Sequence, residues 1–242
     1  MIHEVLISLE NRHGKDALIR VRRVVEIWRG RAKRVRPSDI MQKPQLYFPD
    51  LSANAWHDPA QFPFVKNLEE SAPQIRSELE HVLMDSIAFE PYHQQKLIGI
   101  TDGNWNAYHF RRAQSWLANS VEKCPTTFSA LQQVSRSAGT AMFSAVSPGG
   151  HIAPHCGPWN CRLTFHLGLA IPAESEMRVG TEMRSWREGK CLAFDDSFEH
   201  EVWNRSGSAR YILLFDIWHP DLSDIEIRFL EAIQQTLHAA EF

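Results

Sequence analysis

The sequence lacks any apolar run long enough to cross a membrane, and it lacks a strong charge of either sign. Its 242 residues carry 26 Lys and Arg against 29 Asp and Glu, a formal net charge of −3. Such a balance argues against binding to nucleic acid or to an anionic membrane through overall positive charge. The first residues include Glu4 and Glu10 and so lack the apolar stretch of a signal peptide. We therefore expect a cytoplasmic protein with no nucleic-acid partner and no integral-membrane segment.

Cysteine is scarce, and its positions follow no CxxC spacing. The four are Cys124, Cys156, Cys161 and Cys191. A chain of this length buries enough apolar surface to fold without disulfides, so we expect free thiols. A zinc site built from Cys156, Cys161 and nearby histidines matches the usual ligand spacings poorly and remains a minor alternative.

Arginine, in contrast, is concentrated near the start of the chain. Apolar residues recur at helical spacing from Ala17 to Trp28, and arginine and lysine supply the polar surface as far as Arg36. The pattern predicts a basic amphipathic helix ending before Pro37, within an N-terminal helical extension over residues 1–37 that precedes one main domain over residues 38–242. The basic face is typical of a solvated surface, and docking to an acidic or phosphate-bearing partner is the functional alternative.

The second half of the chain changes from helical to strand patterns. Short apolar or alternating runs are separated by turn residues, which predicts a mainly β fold with flanking helices, a double-stranded β-helix of the jelly-roll, cupin-like type. The predicted strands cover residues 140–146, 161–171, 177–179, 191–194, 201–204 and 210–218. Helices are predicted around residues 68–83 and after Ser223, which forms a capping box with Glu226.

Histidines in this half of the chain are candidate metal ligands. They are His151, His155, His166 and His200. His151 and His155 are four apart, as in a zincin helix, but Ile152 replaces the required glutamate and Pro154 would break the helix. This excludes a zincin metalloprotease. A jelly roll brings distant strands together, so His155 and His200 form the candidate pair, with ordinary surface or core histidines as the alternative.

Two long motifs surround that pair. HCGPWNCRLTFHLGL begins at His155 and FDDSFEHEVWN begins at Phe194. Together they closely resemble the aspartyl/asparaginyl β-hydroxylase family of Fe(II)/2-oxoglutarate-dependent dioxygenases. The resemblance extends upstream to the LYFP segment at residues 46–49 and to Trp56, and downstream to the WHP segment at residues 218–220. It therefore spans most of the chain apart from the basic N-terminal helix.

The resemblance implies a set of metal-binding residues. His155 and His200 are the implied iron ligands. Most 2-oxoglutarate oxygenases have a carboxylate two residues after the first histidine, where this chain has Gly157, so a water or another small ligand would replace it. Asp196 would hold that water through a hydrogen bond. A turn or capping carboxylate is the alternative for Asp196.

The resemblance also implies a 2-oxoglutarate site. Arg210 and Ser144 match the residues that bind the far carboxylate of the co-substrate, and His166 matches one near its iron-chelating end. Arg162 belongs to the same set. Thr164 stands where family members often have a second cationic residue.

The implied activity is hydroxylation of an unactivated C–H bond with Fe(II), 2-oxoglutarate and O2. The family points to the β-carbon of an aspartyl or asparaginyl residue, in a small-molecule, amino-acid or peptide substrate. Arg162, or an arginine of the turn that contains Arg184 and Arg187, could bind an acidic substrate. The alternatives are a hydroxylase of lipid acyl chains, a cupin-like small-molecule binding protein without turnover, and an interaction module based on the basic helix.

Overall fold

Two antiparallel β-sheets form the centre of the molecule. The computed structural model describes residues 2–33, 40–85, 88–92, 100–112 and 114–239. The strands are β1 (Trp56–His57), β2 (Glu90–Pro91), β3 (Ile100–Asp102), β4 (Trp105–Arg112), β5 (Ser115–Trp116), β6 (Ser137–Val146), β7 (His151–His155), β8 (Arg162–Ala170), β9 (Ser175–Val179), β10 (Glu182–Ser185), β11 (Cys191–Phe194), β12 (His200–Asn204) and β13 (Arg210–Trp218). The larger sheet has the order β1-β11-β8-β13-β6-β4-β2, with β5 paired to β4, and the smaller has the order β10-β9-β12-β7-β3. This arrangement is a jelly roll, as predicted.

Helices surround the two sheets. They are α1 (Ile2–His13), α2 (Ile19–Trp28), α3 (Phe64–Glu70), α4 (Ala72–Leu83), α5 (Ala118–Lys123), α6 (Pro125–Gln132) and α7 (Asp224–Ala239). Residues of α3, α4 and α6 share a hydrophobic core with the face of the larger sheet that points away from the smaller one. None of the described helices is long and apolar enough to span a bilayer.

The central strands β8 and β13 are buried on both faces. On β13, Leu213 and Phe215 point into the core beneath the helices, whereas Ile212 and Leu214 point towards the smaller sheet. Successive strand residues face opposite sides, so a strand covered on both sides reads as a nearly continuous apolar run. This is why both strands were predicted within a residue or two of their observed ends.

The predicted N-terminal helix was too long. Helix α2 ends at Trp28, and Gly30 follows with a φ of 69°, the left-handed conformation in which many helices terminate. Arginine favours helices, so the composition alone extended the prediction past this stop. Residues 34–36 of the predicted helix lie outside the described residues, and no separate helix was predicted where α1 lies.

The N-terminal helices pack against the C-terminal one. Leu6 of α1 and Leu18, just before α2, share a buried cluster with Phe229 and Leu230 of α7. Arg20 donates hydrogen bonds to the Glu226 carboxylate, at 2.8 Å from Nε. The division between residues 1–37 and 38–242 stays a prediction. Helices α1 and α2 of the first part share apolar contacts and an ion pair with α7 of the second.

The two remaining predicted helices differ in outcome. The helix predicted over residues 68–83 is two helices, α3 and α4, which meet at Ser71. The capping box is confirmed: Ser223 N donates to Glu226 Oε2 at 2.8 Å, and Glu226 N donates to Ser223 Oγ at 3.3 Å.

Candidate active site

A cavity of about 510 Å³ lies between the two sheets. It is lined by side chains from both sheets, because alternate residues of the facing strands point inward. All seven predicted site residues line it: Ser144, His155, Arg162, His166, Asp196, His200 and Arg210. The sequence motifs, which are distant along the chain, therefore meet in one place.

His155 and His200 form a pair at this cavity. They lie directly opposite each other on β7 and β12, with ring centroids 4.0 Å apart. His155 Nδ1 is 2.8 Å from the Ala153 carbonyl oxygen, and His200 Nδ1 is 2.9 Å from that of Phe198. A carbonyl oxygen only accepts, so each Nδ1 carries the proton and each Nε2 keeps its lone pair.

Both rings are held in the neutral form. Burial lowers the pKa of His155 to about 3, and the neighbouring His200 acts in the same direction. Burial likewise lowers the pKa of His200 to about 4. Two neutral imidazoles with free lone pairs are suitable ligands for a transition metal. Among the described residues, no set of three His, Cys, Asp or Glu side chains is placed to hold one metal ion, so a metal here would have two protein ligands of these types.

Arg210 is a buried cation at the cavity wall, and none of the described carboxylates forms an ion pair with it. The residue is 1% exposed, and its guanidinium lies over the Trp186 ring at 4.8 Å. Within the described part of the chain, its Nε and Nη1 have no hydrogen-bond acceptor. Burial lowers the pKa of Arg210 to about 9. A buried guanidinium without acceptors requires an anion, since burying an unpaired charge is costly in free energy.

Two further donors face the same cavity. Trp186 Nε1 donates to His166 Nδ1 at 3.2 Å, so the proton of this imidazole lies on Nε2, which has no acceptor among the described residues. Ser144 Oγ accepts a hydrogen bond from Trp105 Nε1 at 2.9 Å, which leaves its own proton to donate. Arg210, His166 and Ser144 thus present donors, as the binding of a dicarboxylate requires.

Arg162 lies in the same cavity but in a different electrostatic setting. Its Nη1 is 3.6 Å from Asp216 Oδ2, and its guanidinium lies over the Trp159 ring at 5.3 Å. Burial alone would lower the pKa of Arg162, but Asp216 and then Asp196 outweigh it and raise the pKa. The positive charge of Arg162 is therefore compensated by two carboxylates.

Gly157 leaves room for the Asp196 carboxylate. A Cβ at position 157 would collide with that carboxylate, and the Gly157 N–H donates to the Asp196 carbonyl oxygen at 2.6 Å. Burial raises the pKa of Asp196 to about 6, and Arg162 opposes the shift. Asp196 Oδ1 has no hydrogen-bond partner among the described residues. The carboxylate of Asp196 thus occupies the space that a side chain at position 157 would take.

The segment around residues 42–48 holds the two motif loops. Leu46 N donates to the Pro158 carbonyl, and Lys43 N donates to the Ser197 carbonyl, each at 2.9 Å. The Asn160 side chain accepts from Phe48 N and donates to the Phe48 carbonyl. These contacts bind the LYFP segment to the loop after His155, and they place Gln45 at the cavity wall.

Other predicted or missed residues are placed as follows. Arg184 pairs with Glu182, and Arg187 lies on a separate surface groove, so neither lines the cavity. The four cysteines are free thiols, and the zinc alternative has no ligand group among the described residues. Sequence reasoning missed Asp216, although it shares the face of β13 that carries Arg210 and interrupts an apolar run.

Comparison with known proteins relates the chain to one family. The family model for aspartyl/asparaginyl β-hydroxylase matches residues 69–220. Aspartyl/asparaginyl β-hydroxylase of Mus musculus is 35% identical over 209 residues, covering 83% of this chain and 28% of the relative. Ornithine lipid ester-linked acyl 2-hydroxylase of Rhizobium tropici is 35% identical over 170 residues, covering 68% of this chain and 60% of the relative. The chain thus spans less than two thirds of either relative.

Among solved structures, a Pseudomonas putida prolyl-4-hydroxylase aligns with a TM-score of 0.45 and 13% identity, covering 64% of this chain and 98% of that one. The fold and the cavity define a jelly-roll protein in which paired histidines share one cavity with donors of Arg210 and His166 that have no acceptor in the described part of the chain. On the family match and the curated relatives, the chain belongs to the aspartyl/asparaginyl β-hydroxylase family.

Proposed function

We propose that the protein is an Fe(II)/2-oxoglutarate-dependent hydroxylase that acts at the β-carbon of an aspartyl or asparaginyl residue, or of a related amino-acid or peptide substrate. One observation carries the proposal: two neutral imidazoles with free Nε2 lone pairs share a cavity with Arg210 and His166, whose donors lack acceptors among the described residues, and with the Ser144 hydroxyl. Two nitrogen ligands and a set of donors match the needs of a metal ion and a dicarboxylate.

Each residue has a distinct part in this proposal. His155 and His200 would hold Fe(II), and Asp196 would accept a hydrogen bond from a water bound to the metal. Arg210 and Ser144 would hold the far carboxylate of 2-oxoglutarate, and His166 Nε2 would donate to its iron-chelating end. Bound together, Fe(II) and 2-oxoglutarate supply the oxidising power drawn from O2, with release of succinate and carbon dioxide.

The protein would supply orientation and a dry site. Met177, Phe194 and Leu214 form apolar parts of the cavity wall, and Trp105 and Trp186 fix the orientation of Ser144 and His166 through the hydrogen bonds described above. Ordered donors in an enclosed cavity bind a carboxylate without the rearrangement that water would need. The surrounding residues thus favour one orientation of the co-substrate.

The test is an anaerobic titration with Fe(II) and 2-oxoglutarate, followed by the weak visible charge-transfer band of the chelated co-substrate. We expect the band in the wild type, no band in His155→Ala because a metal ligand is lost, and a much weaker 2-oxoglutarate affinity in Arg210→Ala. Arg205→Ala is the control, because this exposed arginine pairs with Glu176 on the surface. A wild-type protein that holds iron without the band would contradict the proposal and favour a binding protein without turnover.

A second candidate is hydroxylation of a lipid acyl chain. It is supported by the relative from Rhizobium tropici, which is named as an ester-linked acyl 2-hydroxylase. Succinate release with peptides compared with ornithine lipid would separate the two candidates.

A further inference from the structure

The cavity contains two arginines, one with its charge compensated by carboxylates and one without such compensation. Among the described residues no carboxylate pairs with Arg210, and burial alone accounts for its lowered pKa. Arg162 has Asp216 at 3.6 Å and also feels the Asp196 charge. A free cation in the cavity wall therefore exists only at Arg210 among the described lining residues.

The charges of the described cavity residues leave no cation for a second anion. The charged side chains among the described lining residues are Arg162, Arg210, Asp196 and Asp216, and their formal charges sum to zero. The histidines add nothing, because an imidazole that binds a metal through one nitrogen and donates through the other is neutral. Fe(II) and the 2-oxoglutarate dianion carry equal and opposite charges, so loading the site leaves the sum unchanged. A carboxylate on the substrate would then be buried without compensation, which is strongly unfavourable.

Part of the hydrogen-bonding capacity around Arg162 is nevertheless unused among the described residues. Arg162 Nε has no acceptor among the described residues. Asp216 Oδ1 accepts from Thr164 Oγ1 at 3.0 Å, while Oδ2 meets Arg162 at a distance longer than a hydrogen bond. This part of the wall therefore offers donors from Arg162 and an acceptor from Asp216 side by side, with little net charge.

A carboxamide matches that pattern, because its carbonyl accepts and its NH2 donates. From the Arg162–Asp216 pair and the uncompensated Arg210 in the same cavity, we infer that the substrate side chain is bound as a neutral carboxamide, so the site favours an asparaginyl over an aspartyl residue. The inference deepens the proposed function and rests on it. A carboxylate in the same position would face Asp216, and both like charge and a missing donor would oppose its binding.

The test compares N-acetyl-asparagine N-methylamide with the matching aspartate compound at pH 7.5. Binding is measured by calorimetry on the anaerobic protein with Fe(II) and 2-oxoglutarate, and turnover is measured by succinate release. We expect the asparagine compound to bind at least about tenfold more tightly, as a missing buried hydrogen bond implies. Asp216→Asn removes the negative charge beside Arg162 and should bring the aspartate compound to equal or tighter binding.

Two controls make the result specific. Asp224→Asn makes the same chemical change at a side chain that is 88% exposed, and it should leave the ratio of the two affinities unchanged. The charge-transfer band of 2-oxoglutarate should persist in Asp216→Asn, which shows that the variant is folded and that Arg210 still binds.

The possible outcomes distinguish failure of the carboxamide inference from failure of the hydroxylase proposal. Equal or tighter aspartate binding in a wild type that forms the band overturns the carboxamide inference and leaves the hydroxylase proposal standing. Failure of both compounds to bind at millimolar concentration also overturns it, in favour of a substrate without an amino-acid side chain. If the band itself is absent, the hydroxylase proposal fails, and calorimetry on the protein as isolated still decides between amide and carboxylate.

Discussion

Gly157 and Asp196 are coupled through the space that they share. The glycine sits two residues after His155, and any Cβ there would collide with the Asp196 carboxylate. The Gly157 N–H fixes the Asp196 backbone through its carbonyl oxygen, and the buried Asp196 carboxylate fills the space beside the glycine, so position 157 controls where Asp196 points. The absence of a side chain at position 157 is therefore part of the site's construction.

We predict that Gly157→Ala displaces Asp196, weakens Fe(II) binding and lowers the free energy of unfolding by about 1–3 kcal/mol, the usual cost of overpacking. Metal titration and thermal unfolding measure the two effects. Gly207→Ala is the matched control, because a Cβ at this exposed glycine meets nothing within 4 Å. Equal metal affinity in the two variants would contradict the coupling.

Single residues also mark the limit of sequence reasoning. Arg210, Ser144 and His166 were assigned through the family motifs, and the structure places all three around the cavity. Asp216 was missed because an acidic residue within a strand is ordinarily read as a solvent contact or a strand end. Its pairing with Arg162 depends on the registry of β8 and β13, which no local pattern specifies.

At the scale of elements, helix α7 begins with a reciprocal pair of hydrogen bonds. Ser223 and Glu226 satisfy each other's backbone N–H groups, and Glu226 also accepts from Arg20 of α2. The start of the C-terminal helix is therefore joined to the N-terminal helices by one carboxylate.

We predict that Ser223→Ala lowers the free energy of unfolding by about 1 kcal/mol, because one backbone donor at the helix start loses its acceptor. Ser77→Ala makes the same change at an exposed position inside α4 and should cost nothing, since alanine is the better helix former. Chemical denaturation of both variants measures the difference. A larger loss in Ser77→Ala than in Ser223→Ala would contradict the capping role.

Elements differed in how well they could be predicted. Strands such as β8 and β13 are covered on both sides, so their apolar runs predicted them well. Strand β4, Trp105–Arg112, was missed because its side chains mix polar, aromatic and basic types although most of them are buried. Tertiary contacts, which local sequence does not contain, bury those residues.

At the scale of the whole molecule, the helices at the two ends of the chain share one apolar cluster. Leu18 and Val21 are fully buried against residues that include Phe229 and Leu230 of α7, and Trp218 at the end of β13 joins the same cluster. The cluster therefore connects the N-terminal helices to the strand that carries Arg210.

We predict that Leu18→Ala lowers the free energy of unfolding of the entire protein by about 2–5 kcal/mol, with one transition followed both by tryptophan fluorescence and by loss of the metal site. Ile19→Ala is the control, because its side chain is 68% exposed and should contribute little. If Leu18→Ala left the main transition unchanged, residues 1–37 would behave as a separate appendage.

The paired histidines share one local feature. Each donates its Nδ1 proton to the backbone carbonyl two residues earlier in its own chain segment, His155 to Ala153 and His200 to Phe198. Backbone atoms are present whatever side chains surround them, so the hydrogen bond that orients each ring does not depend on the identity of a neighbouring side chain. Mutations in the cavity wall can therefore accumulate while both imidazoles keep their orientation. The substrate specificity can change in this way around an unchanged pair of metal-binding histidines.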